Sequence, residues 1–238
     1  MLFVGVDPAW GEGTRTRPPN ETGLARIAGS REVIDAGWAR GLTDTLAWIE
    51  KVTGSEDAVV AVDAPLVVTN SSGQRLCEKQ VGQRYGRWQV SANTTNTSSS
   101  RQAGVALLSG LKDLGFAYSD GWAGPPANAR HVFECYPYTT IAGVTELGYD
   151  VERPRYKRKP KAMNAATFRP LRAAACDELI GRMITLRARL RSRPSSRLRV
   201  WSNVGSARGA SAHGCRAVGR SRAYRPLSVD RIATAACH

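Results

Sequence analysis

The sequence predicts an α/β fold built on a mixed sheet, and three observations predict it. Three strand patterns open the chain, separated by connections containing Gly, Pro, Asn and Ser, as in a meander. A helical pattern follows, and an apolar run then returns as a further strand, which implies a mixed sheet. Two apolar runs also end in an ionisable carboxylate: Leu2-Phe3-Val4-Gly5-Val6 precedes Asp7, and Ala58-Val59-Val60-Ala61-Val62 precedes Asp63.

Leu2 to Asp7 reads as a buried strand, Thr22 to Ala28 as a second and Glu32 to Trp38 as a third with partial alternation. Thr43 is placed to cap a helix running to about Val52, with Leu42, Leu46, Ile49 and Val52 on its inner face. Asp57 to Asp63 returns as a strand. Ala64 to Ser100 is long, polar and rich in Asn, Thr and Ser, a connection of the functional kind. Helical spacing at Val105, Leu108, Leu111 and Leu114 predicts a helix within Arg101 to Phe116. The run His131-Val132-Phe133 then ends in Glu134, and a short helix is expected over Thr139 to Leu147, giving the order βββαβαβα. Thr167 to about Leu190 resumes as an amphipathic helix carrying Leu171, Leu179, Ile180, Met183, Ile184 and Leu186.

At 238 residues the chain buries an ordinary core without disulfides. Its five cysteines are scattered, with neither a CxxC pair nor a local His/Cys cluster of the zinc-binding kind, and read as reduced thiols. The N-terminus lacks the pattern of a secretory leader, and no stretch reaches the roughly 18 apolar residues of a membrane span, so a cytoplasmic protein is expected. Charge divides the chain. Residues 1–150 hold 13 Lys and Arg against 16 Asp and Glu, a balance of −3, whereas residues 151–238 hold 21 against 4, a balance of +17. Such a basic segment attracts nucleic acid through phosphate neutralisation. Residues 191–238 contain 10 Arg, 8 Ser and 8 Ala with one acid, Asp230, which sets the expected boundary between a domain over 1–190 and a tail over 191–238. That composition reads as a disordered basic tail or as a shifted reading frame in a GC-rich gene.

A strand that delivers a carboxylate at its last residue must offset a desolvation cost, by pairing the charge or by holding a metal. Asp7, Asp63 and Glu134 recur at the same relative position in three segments. Converging carboxylates suit hard cations such as Mg²⁺ or Mn²⁺, and phosphodiester hydrolysis by two metals needs several of them. Arg75 and Arg84 in the polar connection, and Lys157 beside Tyr156, are candidate phosphate contacts. Glu78 reads as part of an exposed loop with its own ion pairs, with closing over the site as the rival reading, His131 as structural, and Trp10 and Trp88 as packing residues with stacking on bases as the rival reading.

Gly5-Val6-Asp7-Pro8-Ala9-Trp10, Thr22-Gly23-Leu24-Ala25, Val62-Asp63-Ala64-Pro65-Leu66, Gly73-Gln74-Arg75 with Cys77-Glu78, Glu134-Cys135-Tyr136-Pro137 and Tyr156-Lys157 together resemble the DUF429 family of predicted nucleases. The resemblance spans roughly residues 1–190. It implies a ribonuclease H-like fold, a five-stranded mixed sheet of order 3-2-1-4-5 with helices on both faces, and metal-ligand roles for Asp7, Asp63 and Glu134. Such nucleases carry a further acid on a final helix. Here the corresponding region is the Arg/Ser/Ala-rich tail, and Asp177 and Asp230 are poor substitutes.

The first functional expectation is therefore a metal-dependent nuclease using two ions, with water as the nucleophile. The second is a non-catalytic nucleic-acid-binding protein of the same fold. A nucleotide phosphotransferase is the third, resting on the broader fold relationship, with no Gly-rich phosphate-binding pattern beyond the weak Gly11-Glu12-Gly13 to support it.

Overall fold

A computed structural model describes residues 1–9, 13–16, 18–100, 102–120, 129–157 and 159–192, with side chains to 188. Among the described residues, Met1–Arg153 forms one compact unit and those from Pro154 onward belong to a second. No helix among the described residues is long and apolar enough to cross a membrane. Trp10, Gly11, Glu12 and Asp230, and the boundary expected near 190, lie at or outside the limits of the described residues.

The first unit is a mixed α/β domain. Strands β1 (Leu2–Asp7), β2 (Glu21–Ala28) and β3 (Val33–Arg40) form the antiparallel meander. Helix α1 (Gly41–Thr53) crosses to β4 (Ala58–Val62), which pairs parallel to β1. Gly41, at φ 75°, turns the chain directly from β3 into α1. The cap is therefore Arg40 and not Thr43, which lies inside the helix. Helices α2 (Leu76–Tyr85) and α3 (Ala103–Asp113) follow, then β5 (Ala117–Tyr118), β6 (His131–Glu134) and α4 (Pro137–Gly143).

Strand order is β3-β2-β1-β4-β6-β5, six strands where the sequence suggested five. The extra strand, β5, is a two-residue parallel edge too short to show alternation. The connection from Ala64 to Ser100 likewise contains an unexpected helix. Its buried residues are Cys77, Glu78 and Val81, so a charge occupies the position where periodicity looks for an apolar side chain. The expected helix over Thr139 to Leu147 divides into α4, with proline in its first turn, and a 3-10 turn at Thr145–Leu147. Cys135 and Cys176 are free thiols.

Alternation along β1 and near-complete burial of β4 make the core. Val4, Val6, Val60, Val62 and Val132 pack with Ile49, Leu107, Leu111 and Phe116 from α1, α3 and the turn after α3, all nearly inaccessible. Burying five valines from the parallel β1-β4-β6 centre contributes roughly 1.5–3 kcal/mol for each side chain. The other face carries Phe3, Gly5 and Asp7 from β1, and Trp38 on β3 is 73% exposed there.

In the second unit, α5 (Ala165–Ser192) confirms the expected helix but not its amphipathic character. Leu171, Ile180, Met183 and Ile184 are exposed, while Phe168 is buried.

Candidate functional site

Register decides how the three acids meet. Val6 pairs with Val62 across β1 and β4, and the Asp63 N–H donates to the Val6 carbonyl at 2.8 Å, so Asp7 and Asp63 leave adjacent parallel strands side by side. Neighbouring strands lie about 4.8 Å apart, close enough for two carboxylates to share one small ligand. Glu134 pairs with Val62, one position short of Asp63, and the Cys135 N–H donates to the Val62 carbonyl at 2.8 Å. The recurrence visible in the sequence is thus one residue out of line at β6.

Asp63 and Glu134 nevertheless line one solvent-open cleft, together with Arg75, Glu78, Asn93, Thr95, Cys135 and Tyr136. The chain bends at Asp63, which carries the residue out of the strand. Asp7 stands beside this cavity on the ladder, but it is exposed and does not line it.

Arg75 is the centre of the cluster. Its guanidinium donates through Nη1 and Nη2 to the two oxygens of Glu134 at 2.9 and 2.7 Å, through Nε to Glu78 Oε1 at 2.8 Å, and through Nη1 to the Val67 carbonyl at 3.1 Å. The residue is 8% exposed and Glu78 is 2% exposed. Burial disfavours the guanidinium charge, but hydrogen bonding and attraction to Glu134, then Glu78, outweigh it and hold the pKa above the ordinary arginine value. Glu78 also accepts from the backbone N–H groups of Arg75 and Thr95 at 3.1 and 2.9 Å, and Glu134 accepts from Leu66 N–H at 3.1 Å. Both ends of the polar connection are tied to this knot.

Other expected residues fall elsewhere. Arg84 is exposed near the end of α2 and does not line the cavity, and Lys157 belongs to the second unit, where it is exposed. Trp88 lies under the Arg87 guanidinium at 3.7 Å and 5.7 Å from the Tyr85 ring, an arrangement of packing. His131 is half-buried in β6, as a structural residue would be. Sequence reasoning did not single out Thr95, Asn93 or Tyr136 as cavity residues. The Glu78 signal was present in the Arg75-x-x-Glu78 spacing, with Glu78 reaching back to the N-cap backbone as in a capping box.

A family model described as "Protein of unknown function (DUF429)" matches residues 5–189. The chain belongs to the DUF429 family. No curated protein and no solved structure matches it. The match covers the acids of all three strands, the Arg75 knot and the second unit as far as residue 189.

The donor set of this DUF429 chain can be tested against a divalent ion. Hard carboxylate oxygens at Asp7 and Asp63 have the right chemistry and adjacency for one Mg²⁺ or Mn²⁺. Glu134 has both oxygens committed to Arg75, and one also to Leu66. Among the described residues no group of three or more His, Cys, Asp or Glu side chains is arranged to hold a metal ion. With Glu134 committed to Arg75, the three strand-end acids do not present three equivalent carboxylates for a pair of ions.

Proposed function

We propose that this DUF429 protein is a metal-dependent nuclease of ribonuclease H-like architecture, in which Asp7 and Asp63 hold a Mg²⁺ or Mn²⁺ ion. The observation that carries the reading is their departure, side by side, from adjacent parallel strands in a sheet of order 3-2-1-4-6-5. A hard cation bound there would supply Lewis-acid stabilisation of the phosphate in the transition state. Asp63, nearly buried, keeps its carboxylate at the cavity wall, while Asp7 remains accessible to an anionic backbone approaching from solvent. Arg75 holds Glu134, and water is the nucleophile. The basic residues beyond position 150 supply non-specific attraction for nucleic acid.

Purified protein is tested on labelled single-stranded, duplex and hybrid oligonucleotides with Mg²⁺ or Mn²⁺. Loss of an outer-shell partner costs about 10–100-fold, so Asp7→Asn and Asp63→Asn, which remove direct ligands, are expected to cost at least about 100-fold each. Undiminished cleavage by either variant rejects the assignment. A second reading, non-catalytic nucleic-acid binding, is favoured by one observation: the carboxylate of Glu134 is already neutralised by Arg75. Salt-sensitive binding without cleavage would select it, and ATP turnover would select a phosphotransferase.

A further inference from the structure

We infer that Arg75 is the positioning residue of this site, acting through Glu134 and the chain after Asp63 and not by binding phosphate. The inference deepens the nuclease reading and rests on it only for the kinetic part of its test.

A guanidinium offers five N–H donors in a rigid fork. Four are engaged: one by Glu78, two by Glu134 and one by Val67. One positive charge thus faces two carboxylates, and a phosphate reaching Arg75 would meet net negative charge in a site only 8% exposed. Arg75 is poorly arranged to receive an anion. It is well arranged to set distances. Through Val67 it holds the segment that begins at Asp63, and through both oxygens of Glu134 it holds the end of β6. Leu66 N–H closes the same ring by donating to Glu134 at 3.1 Å. Asp63 and Glu134 are therefore indexed to each other by a single side chain. Glu78 in turn fixes the fork, because it takes Nε of Arg75 on one oxygen and two backbone N–H groups on the other.

The two roles respond differently to lysine. Lysine is an adequate phosphate contact as a point charge, but it cannot bridge Glu78, Val67 and both oxygens of Glu134. The full-length chain is compared with Arg75→Lys, Glu78→Gln and the double variant, after thermal unfolding shows that each folds. Oligonucleotide affinity is measured in EDTA across a salt series, kcat and KM with Mn²⁺, and Mn²⁺ affinity by calorimetric titration. Arg75→Lys is expected to leave affinity in EDTA and its salt slope unchanged and to lower kcat by about 10–100-fold at constant KM. Glu78→Gln should act in the same direction, and the double variant should lose no more than the worse single one. A fall of about one in the salt slope, or an unchanged kcat, overturns the inference. If the wild type cleaves nothing, the nuclease reading alone fails, and Mn²⁺ decides the inference: about tenfold weaker binding by Arg75→Lys supports it, and equal binding overturns it. A wild type that binds no Mn²⁺ overturns both. Should Arg75→Lys unfold, Glu78→Gln, which leaves the fork on Glu134, carries the same comparisons.

Discussion

Tyr118 is a half-buried phenol within electrostatic reach of Glu134 and Arg75. Burial raises its phenol pKa above the ordinary 10.0, Glu134 and Asp120 add to the shift, and Arg75 opposes it. A phenol that keeps its proton longer in the native state means that the folded protein binds more protons than the unfolded chain at alkaline pH. Stability then falls as pH rises. The contribution is fully present below pH 10.0 and is lost as pH climbs through the raised native value. Urea midpoints of the wild type should accordingly decline more steeply above pH 10.0 than those of Tyr118→Phe, and parallel declines would remove the claim. At the same scale, the Arg75 knot shows why single residues were hard to grade from sequence. Arg75 and Glu78 could be noticed three residues apart, but Glu134 lies 59 positions from Arg75, and no local spacing announces a pair at that separation.

Helix α3 owes its position to a missing methyl group. A Cβ on Gly104 would collide with the Pro65 carbonyl oxygen and come within 3.0 Å of the Ala64 Cβ, so glycine allows the helix to rest on the segment immediately after Asp63. Intrinsic propensity favours alanine over glycine in a helix by about 1 kcal/mol. Overpacking against backbone costs about 1–3 kcal/mol and decides the sign. Gly104→Ala should therefore destabilise the protein in urea unfolding, and a stabilised variant would show that the approach is not tight. Gly110→Ala should cost less, because the atoms in its way belong to the Leu46 side chain, which can rotate. The same distinction between pattern and packing explains α2 and α5. In α2 the inward residues include Glu78, so its burial came from a satisfied charge, invisible to apolar spacing. In α5 the apolar residues were legible, yet most of them are exposed.

Over the whole molecule, charge and candidate chemistry are separated along the chain. The three strand-end acids and Arg75 lie in the first 150 residues, whose balance is −3, while residues 151–238 carry +17. Affinity for polyanions should follow the basic part. Ending the chain at Leu190 removes 10 Arg and one Asp, and gel retardation of a single-stranded oligonucleotide should show weaker binding with a flatter salt dependence. Mn²⁺ titration should be unchanged by the same truncation. An unaltered salt slope would place polyanion attraction elsewhere on the protein.

The sequence by itself determined the meander, the crossover through α1, the returning strand and the helices around Leu108 and Ile180, because apolar runs and helical spacing are local signals. It also determined which strands end in acids. Only the tertiary structure decided that Asp7 and Asp63 stand in register, that Glu134 falls one residue short, and that Arg75 claims both of its oxygens. Register and long-range ion pairs depend on how strands slide and where a side chain finds its partner, and neither is written in the spacing of residues along one strand.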